Sequence, residues 1–276
     1  MIVDAHVHIL PDRVRENLDL VFAREPWFAA CHARGERVAS AESLVGAMDA
    51  QGVDRAICFS WPFADASMCA EANDYVAAAV RRYPGRLTGF GVVQPLDAGA
   101  AAEVARCARM GLSGIGEMNA DAQGWGLLDD AVEPALQASV DAGLPWTLHC
   151  SEPVGRQYPG KGTATPDRLL RFAQRHPELT LICAHLGGGL PLLAHIPEVR
   201  AACAGLFFDT AAQPFVYEAS VYRALVDGVG ADRILLGSDH PLLDVPRYLA
   251  ALDAAGVEAS ARDLITGANA ARLLRL

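Results

Sequence analysis

The chain is almost without lysine. Lys161 is the single example among 276 residues, against twenty-two arginines, and it lies in a glycine-rich stretch running from Gly155 to Gly162. Any chemistry that needs an amine at a strand end is thereby left without a candidate. The seven cysteines (Cys31, Cys58, Cys69, Cys107, Cys150, Cys183 and Cys203) show no Cys-x-x-Cys spacing and are odd in number, which points to reduced, mostly buried thiols rather than a disulfide framework. No apolar run approaches the roughly 18 residues of a membrane span. Nothing like a basic n-region and cleavage site precedes the first apolar stretch at Ile2, so the cytoplasm is the expected location. Cationic residues are outnumbered, 23 to 33, for a net charge of −10. That balance disfavours nonspecific attraction to nucleic acid or an anionic membrane and leaves a small-molecule substrate as the expected partner. Oligomeric state stays open.

What is present is apolar and periodic. Half the residues are hydrophobic (52%) and a fifth are charged, a composition that supports a folded core. Strands are expected at Ile2–Ile9, Arg55–Trp61, Leu87–Val93, Gly114–Met118, Pro145–Cys150, Leu179–Ala184, Leu206–Thr210 and Ile234–Asp239, with helical segments between them. Ser40 and Gly52 bracket one helix, Tyr83-Pro84-Gly85 stops another near Cys69–Arg82, and Thr165-Pro166 starts a third. Further helices are expected at Ala100–Met110, about Leu128–Ala142 and Ser260–Leu276. After the first interval of about fifty residues the strands recur about every thirty, the length of a βαβ unit. Eight such units predict an α/β fold, a (β/α)8 TIM barrel, with residues 1–276 as a single domain. The segment Leu10–Ala39 is then a lid-like insertion after the first strand. A doubly wound open sheet is the alternative, disfavoured by strand number and by the absence of Gly-x-Gly-x-x-Gly after the first strand.

The first strand, Ile2-Val3-Asp4-Ala5-His6-Val7-His8-Ile9, carries two histidines one residue apart. Alternation along a strand sends Asp4, His6 and His8 to one face and Val3, Ala5, Val7 and Ile9 to the other. Two imidazoles converging on one spot suit a divalent metal, although core histidines with backbone partners would give the same spacing. The remaining strand ends decide between these readings, because barrels of this kind build their sites at the C-terminal ends of their strands. Those ends hold His6 and His8, then Glu117, His149, His185 and Asp239. Six metal-binding side chains at the site-forming positions favour a metal centre.

The same residues carry a family resemblance. Asp4-Ala5-His6-Val7-His8, Gly114-Ile115-Gly116-Glu117, Leu148-His149, Ala184-His185-Leu186-Gly187-Gly188, Gly237-Ser238-Asp239-His240-Pro241 and the terminal Gly267-Ala268-Asn269-Ala270-Ala271-Arg272-Leu273-Leu274 resemble the amidohydrolase superfamily. More narrowly they resemble its amidohydrolase-related, metal-dependent hydrolase branch, which includes the aminocarboxymuconate-semialdehyde decarboxylase type. The resemblance implies a catalytic divalent metal, usually zinc, on His6, His8, His149 and Asp239, with His185 helping to activate water or polarise substrate. Glu117 instead resembles the TatD-like branch, in which a glutamate helps to hold a second metal; one ion is expected here, two if Glu117 is a ligand. A carboxylated lysine bridge is excluded by the position of Lys161.

Three neutral imidazoles and a carboxylate leave one coordination position for water. Asp239 is the expected proton acceptor and His185 the expected donor to a developing oxyanion. Arg156 and Lys161, in the loop after the fifth strand, are candidates to grip an anionic substrate group, and Trp61, Phe63, Trp27 and Phe28 to wall the pocket; Arg156 and Trp61 are retained as substrate-binding candidates. No cofactor beyond the metal is expected: Gly155–Lys161 lacks the Ser or Thr that completes a phosphate loop. Asn119 shares the face of Glu117 if the strand extends that far. Asp209 is read as a supporting or structural group, His240 as pointing away from the metal, and His176 and His195 as surface residues. The expected function is metal-dependent hydrolysis of an amide, lactone or other ester in a small polar molecule, using metal-activated water. The rivals are nonoxidative decarboxylation, a TatD-like phosphoesterase or nuclease, and a metal-binding module without catalysis.

Overall fold

Eight short strands alternate with helices in the computed structural model, which describes residues 1–32, 35 and 37–276. The strands are β1 (Val3–His8), β2 (Arg55–Phe59), β3 (Leu87–Gly89), β4 (Ile115–Met118), β5 (Trp146–Leu148), β6 (Leu181–Cys183), β7 (Leu206–Asp209) and β8 (Ile234–Leu235). All neighbouring pairs are parallel, in the orders β1-β2-β3 and β4-β5-β6-β7-β8. The two arcs meet through single bridges, Gly91 to Ile115 and Val7 to His240, flanked by bonds such as Gly116 N to Gly91 O (2.7 Å) and Ala5 N to Leu236 O (2.7 Å). The strands thus follow one another round in the order of a (β/α)8 barrel, with two seams where the ladder thins to a few bonds.

Most strands are shorter than their apolar runs, because each run continues past the ladder into the loop that carries the site. Glycine governs one such place. A Cβ on Gly116, at φ +147°, would lie 2.7 Å from the Thr147 carbonyl oxygen, so only glycine lets β4 close on β5 and bring Glu117 beside His149.

Two apolar layers enclose the sheet. Val3 and Ala5 pack with Ile57, Phe59, Phe90, Ile182, Phe207 and Leu235, residues drawn from around the ring, which therefore fill its interior. Val7 and Ile9 join a larger cluster with Leu44, Met48, Val76 and Val104, contributed by the helices α4 (Ala41–Gln51), α5 (Ala66–Arg82) and α6 (Ala100–Arg109), in the layer between strands and helices. The change of layer along β1 reflects a slip of register between Asp4 and Val7. Simple alternation therefore fails at Asp4: its carboxylate accepts from Ser238 N (2.9 Å) and Ser238 Oγ (2.5 Å) and does not join the histidines. Burial pushes its pKa up to about 6 in spite of those bonds.

Between β1 and α4 the expected lid begins as three short helices, α1 (Asp12–Glu16), α2 (Leu18–Arg24) and α3 (Pro26–His32), seated on Leu10, Val14, Val21, Phe28 and Phe63. Positions 33, 34 and 36 of that segment lie outside the described residues. The expected Ser260–Leu276 helix is interrupted. Ala259–Asp263 and Asn269–Leu274 are regular, but Leu264–Ala268 opens between them. A Cβ on Gly267 would lie 2.2 Å from the Met1 carbonyl oxygen, so the helix loosens where it crosses the start of the chain. Asn269 Nδ2 then donates to Ala231 O and Ile234 O, both at 2.8 Å. His176, expected at the surface, is buried against Phe172 at 4.8 Å, because the chain turns inward before β6. No helix among the described residues is long and apolar enough to cross a membrane, and Cys58, Cys69, Cys107, Cys150, Cys183 and Cys203 are buried free thiols.

Candidate metal centre

Each of four imidazoles has one nitrogen committed to an oxygen outside the cluster and the other turned into it. His6 Nδ1 lies 2.9 Å from Asp209 Oδ2, His8 Nδ1 3.3 Å from Ser60 O, His149 Nε2 2.9 Å from Gly160 O and His185 Nδ1 3.2 Å from Ala211 O. Carbonyls and carboxylates only accept, so these four nitrogens donate. The inward atoms are therefore His6 Nε2, His8 Nε2, His149 Nδ1 and His185 Nε2, an orientation set by outer partners as in metal-bound histidines.

Around these nitrogens the donor atoms fall into two overlapping groups, for ligand atoms of His6, His185 and Asp239 also lie within 4.8 Å of one another. His6 Nε2 and His8 Nε2 are 3.3 Å apart, and Asp239 Oδ1 lies 3.6 and 3.4 Å from them. His149 Nδ1 and His185 Nε2 are 3.1 Å apart. Glu117 stands between, with Oε2 3.9 Å from His6 and 3.6 Å from His8, and Oε1 2.9 Å from His149 and 3.2 Å from His185. Of the sequence-derived set, His6, His8 and Asp239 gather on one side of Glu117 and His149 lies on the other, beside His185, which also reaches His6 and Asp239.

The cluster favours positive charge. Burial works against ionisation of Glu117, but His149 and His6 hold its carboxyl well below the usual range. Burial likewise lowers His6 and His185, yet nearby carboxylates more than compensate: Asp209 and Glu117 raise His6 to about 9, and Glu117 and Asp239 raise His185 to about 10. Asp239 is buried too, but its bond to His8 and the charges of His6 and His185 keep it well below the usual carboxylate range. Asp209, fully buried, also accepts from His185 N (3.1 Å) and Ala211 N (3.0 Å), so one carboxylate braces both sides of the cluster.

A cavity of about 490 Å³ opens from the cluster and is walled by Trp27, Cys31, His32, Trp61, Phe215 and Leu242, among others. Arg156 and Trp61 line it, and so does Asn119, which is 2% exposed. Phe28 and Phe63 do not; both are fully buried behind the wall. Lys161 is also withdrawn. Its ammonium pairs with Glu152 Oε1 at 3.0 Å and donates to Val154 O and Arg156 O, so it staples the loop rather than meeting a ligand. His240 is absent from the wall, whose neighbouring members are Pro241 and Leu242, and His195 is exposed. Sequence reasoning missed His32 and Arg37, both of which line the cavity. The available signal for His32 was its spacing of four from Phe28, which puts both on one helix face.

The chain matches the family model described as Amidohydrolase over residues 3–276. It belongs to the amidohydrolase family. Among solved structures it is similar to a 5-carboxyvanillate decarboxylase from Novosphingobium aromaticivorans with bound manganese, at 20% identity and TM-score 0.80, covering 100% of this chain and 97% of that one. It is also similar to a 2,6-dihydroxybenzoate decarboxylase from Rhizobium (19% identity, TM-score 0.74, covering 99% and 98%). A probable 2-pyrone-4,6-dicarboxylic acid hydrolase from Acinetobacter baumannii with citric acid bound is similar at 14% identity and TM-score 0.69, covering 100% and 99%. At these identities the likeness is one of fold, and it agrees with the TIM barrel expected from sequence.

Proposed function

We propose that this amidohydrolase-family protein is a metal-dependent hydrolase of a small molecule bearing an ester, lactone or amide bond, with His6, His8, Asp239, Glu117, His149 and His185 as the residues that would hold up to two divalent ions. The observation that carries the reading is the split of one carboxyl group, with Oε2 turned to His6 and His8 and Oε1 turned to His149 and His185. Ligand atoms about 2.0–2.2 Å from a tetrahedral cation lie roughly 3.4 Å from one another. The separations within both groups fall around that value, so the donor set fits. His185 accordingly takes the role of a ligand in place of an oxyanion donor. Imidazole and carboxylate donors suit zinc, and carboxylate oxygens suit manganese as well; the manganese in a structural neighbour supports a divalent ion without choosing between them.

When bound, such ions supply Lewis-acid polarisation of an acyl oxygen and lower the pKa of water toward about 7 in favourable sites. The protein's own groups do the rest. Asp239, kept ionised and 14% exposed, takes the proton of the attacking water and returns it to the leaving oxygen or nitrogen. Trp27, Trp61, Phe215 and Leu242 surround the substrate body and exclude bulk water, while Arg156 stands at the mouth for an anionic substituent. An aromatic wall and an acidic chain favour a carbon acyl substrate over a phosphodiester.

Turnover in oxygen-18 water, run over a panel of aryl esters, lactones and amides, tests the reading. One solvent oxygen should enter each new carboxylate. Carbon dioxide release with solvent deuterium on carbon and no oxygen-18 in the product would make the protein a decarboxylase. A metal-loaded protein inert toward the whole panel would make it a binding module.

A further inference from the structure

His32 has no part in the mechanism above, yet it stands in the same cavity. Its ring lies flat against Phe28 (centroids 4.1 Å apart, planes at 20°) and meets Trp61 edge-on at 4.8 Å; the Trp61 ring is itself 5.9 Å from His8. Nδ1 is 3.1 Å from the Phe28 carbonyl oxygen. A carbonyl only accepts, so Nδ1 carries the hydrogen and Nε2 of the neutral ring carries a lone pair. One ring face and one nitrogen are therefore spent. Nε2 has no hydrogen-bond partner among the described residues, and the ring lines the cavity. Burial pushes its pKa down to about 4, which keeps that lone pair bare at neutral pH.

The wall around it is rich in donors. The indole N–H groups of Trp27 and Trp61 are buried without a hydrogen-bond partner among the described residues. Asn119 Oδ1 accepts from Asp121 N and Ala122 N, while its Nδ2 makes no bond to the described residues. Arg37 and Arg156, both exposed, have no carboxylate partner among the described residues. Carbonyl and carboxylate oxygens on a ligand can satisfy the two exposed guanidinium groups. They cannot satisfy His32, since two acceptors facing each other repel and leave a desolvated lone pair.

We infer that His32 is a specificity-determining residue whose Nε2 accepts a hydrogen bond from an O–H or N–H on the substrate body, so that the substrate is a compact, flat molecule carrying a donor away from the bond that is cleaved. The inference rests on the proposed function only in taking this cavity as the substrate site. A phenolic hydroxyl or a ring N–H meets the requirement: both are flat, suit the stacked walls of Trp61 and Trp27, and bring a donor that an aliphatic ester lacks.

The test uses the protein as purified, with phenol and anisole as probes, which differ in the donor and share the ring. Long-range proton–nitrogen NMR of the imidazoles should show His32 Nε2 unprotonated at pH 7 and should shift it on adding phenol, with anisole leaving it in place. Affinities from the indole resonances should favour phenol by about tenfold, the effect of one neutral hydrogen bond. The preference should disappear in His32→Phe and return in part in His32→Gln, whose amide oxygen can accept. A protonated Nε2 in the free protein overturns the inference. So does equal or undetectable binding of the two probes, or a phenol preference that persists unchanged in His32→Phe, which would assign it to the metal cluster. If His32→Phe does not fold, the nitrogen resonance of the natural protein decides alone. Failure of oxygen-18 labelling would count against hydrolysis and would leave these outcomes as they are.

Discussion

His6 and His8 come from a single strand, and the ring of His6 is held by a fully buried carboxylate; His149 and His185 come from neighbouring strands and are held by the loop carbonyls of Gly160 and Ala211. A carboxylate behind an imidazole raises its basicity and locks its tautomer more firmly than a carbonyl does. A loop carbonyl is only as fixed as its loop. Gly160 is positioned by a segment stapled through Lys161 to Glu152, with Tyr158 donating to the other oxygen of the same carboxylate at 2.8 Å. The strand-built side should therefore bind its ion more tightly, and the loop-anchored side should respond more to changes far from the cluster.

Glu117 is where the two sides meet, and its removal should have the largest effect. Glu117→Gln is expected to lower the tightly bound metal from two ions to one or none and to cut turnover at least about a thousandfold. Elemental analysis beside kinetics checks it; a variant that keeps two ions would break the comparison at its centre. Asp239→Asn comes next, with a loss of at least about a hundredfold because an amide cannot take a proton. His185→Asn, measured in parallel, should cost metal chiefly on the loop-anchored side, with a smaller loss beside His6 and Asp239. If His185→Asn keeps its full metal content, His185 is not a ligand.

The two kinds of anchor can be set against each other directly. Asp209→Asn should weaken metal binding by about 10- to 100-fold, most at His6 but also at His185, whose backbone it holds, whereas Lys161→Met, which loosens the loop behind His149, should weaken binding there by only a few-fold. Competition titrations with a chromophoric chelator resolve the two steps. Equal effects of both variants on both ions would mean that the cluster behaves as one unit. The smallest effect concerns pH. In chelator-stripped protein His6 and His185 have folded-state values of about 9 and about 10, raised from 6.5. Their contribution to stability is complete below about pH 6.5 and is lost as pH rises through 9 and 10. The stripped protein should melt at progressively lower temperature from pH 7 to 10, and the metal-loaded protein should change much less. A stripped protein that gains stability over that interval would contradict the charge pairing described for the cluster.

How much of this was legible beforehand depended on where each residue sits. His6, His8, Glu117, His149, His185 and Asp239 could be read because strand ends in a barrel are site positions, so residue type and predicted element were enough. Their division into two groups could not, because it depends on which ring nitrogen each outer partner claims, and Gly160 O and Ala211 O are backbone atoms that leave no trace in residue identity. Asp4 was misread for a related reason: a slip of register in β1 sends its side chain to Ser238 while the flanking sequence alternates normally. Lys161 looked like a ligand for anions because the nearness of Glu152 is a property of the folded loop. His32 escaped because its spacing of four from Phe28 fixes a shared helix face without saying that this face meets the cavity.

Cys31 lines the cavity and is only partly buried, whereas the other six cysteines are buried. Burial also pushes up the pKa of the Cys58, Cys69 and Cys107 thiols, which slows their alkylation further. Partial exposure on the cavity wall therefore puts Cys31 within reach of a thiol reagent ahead of the six buried cysteines. The rate at which iodoacetamide modifies Cys31 becomes a gauge of occupancy: molecules that fill the cavity should protect it, and libraries can be ranked by that protection before any turnover is known.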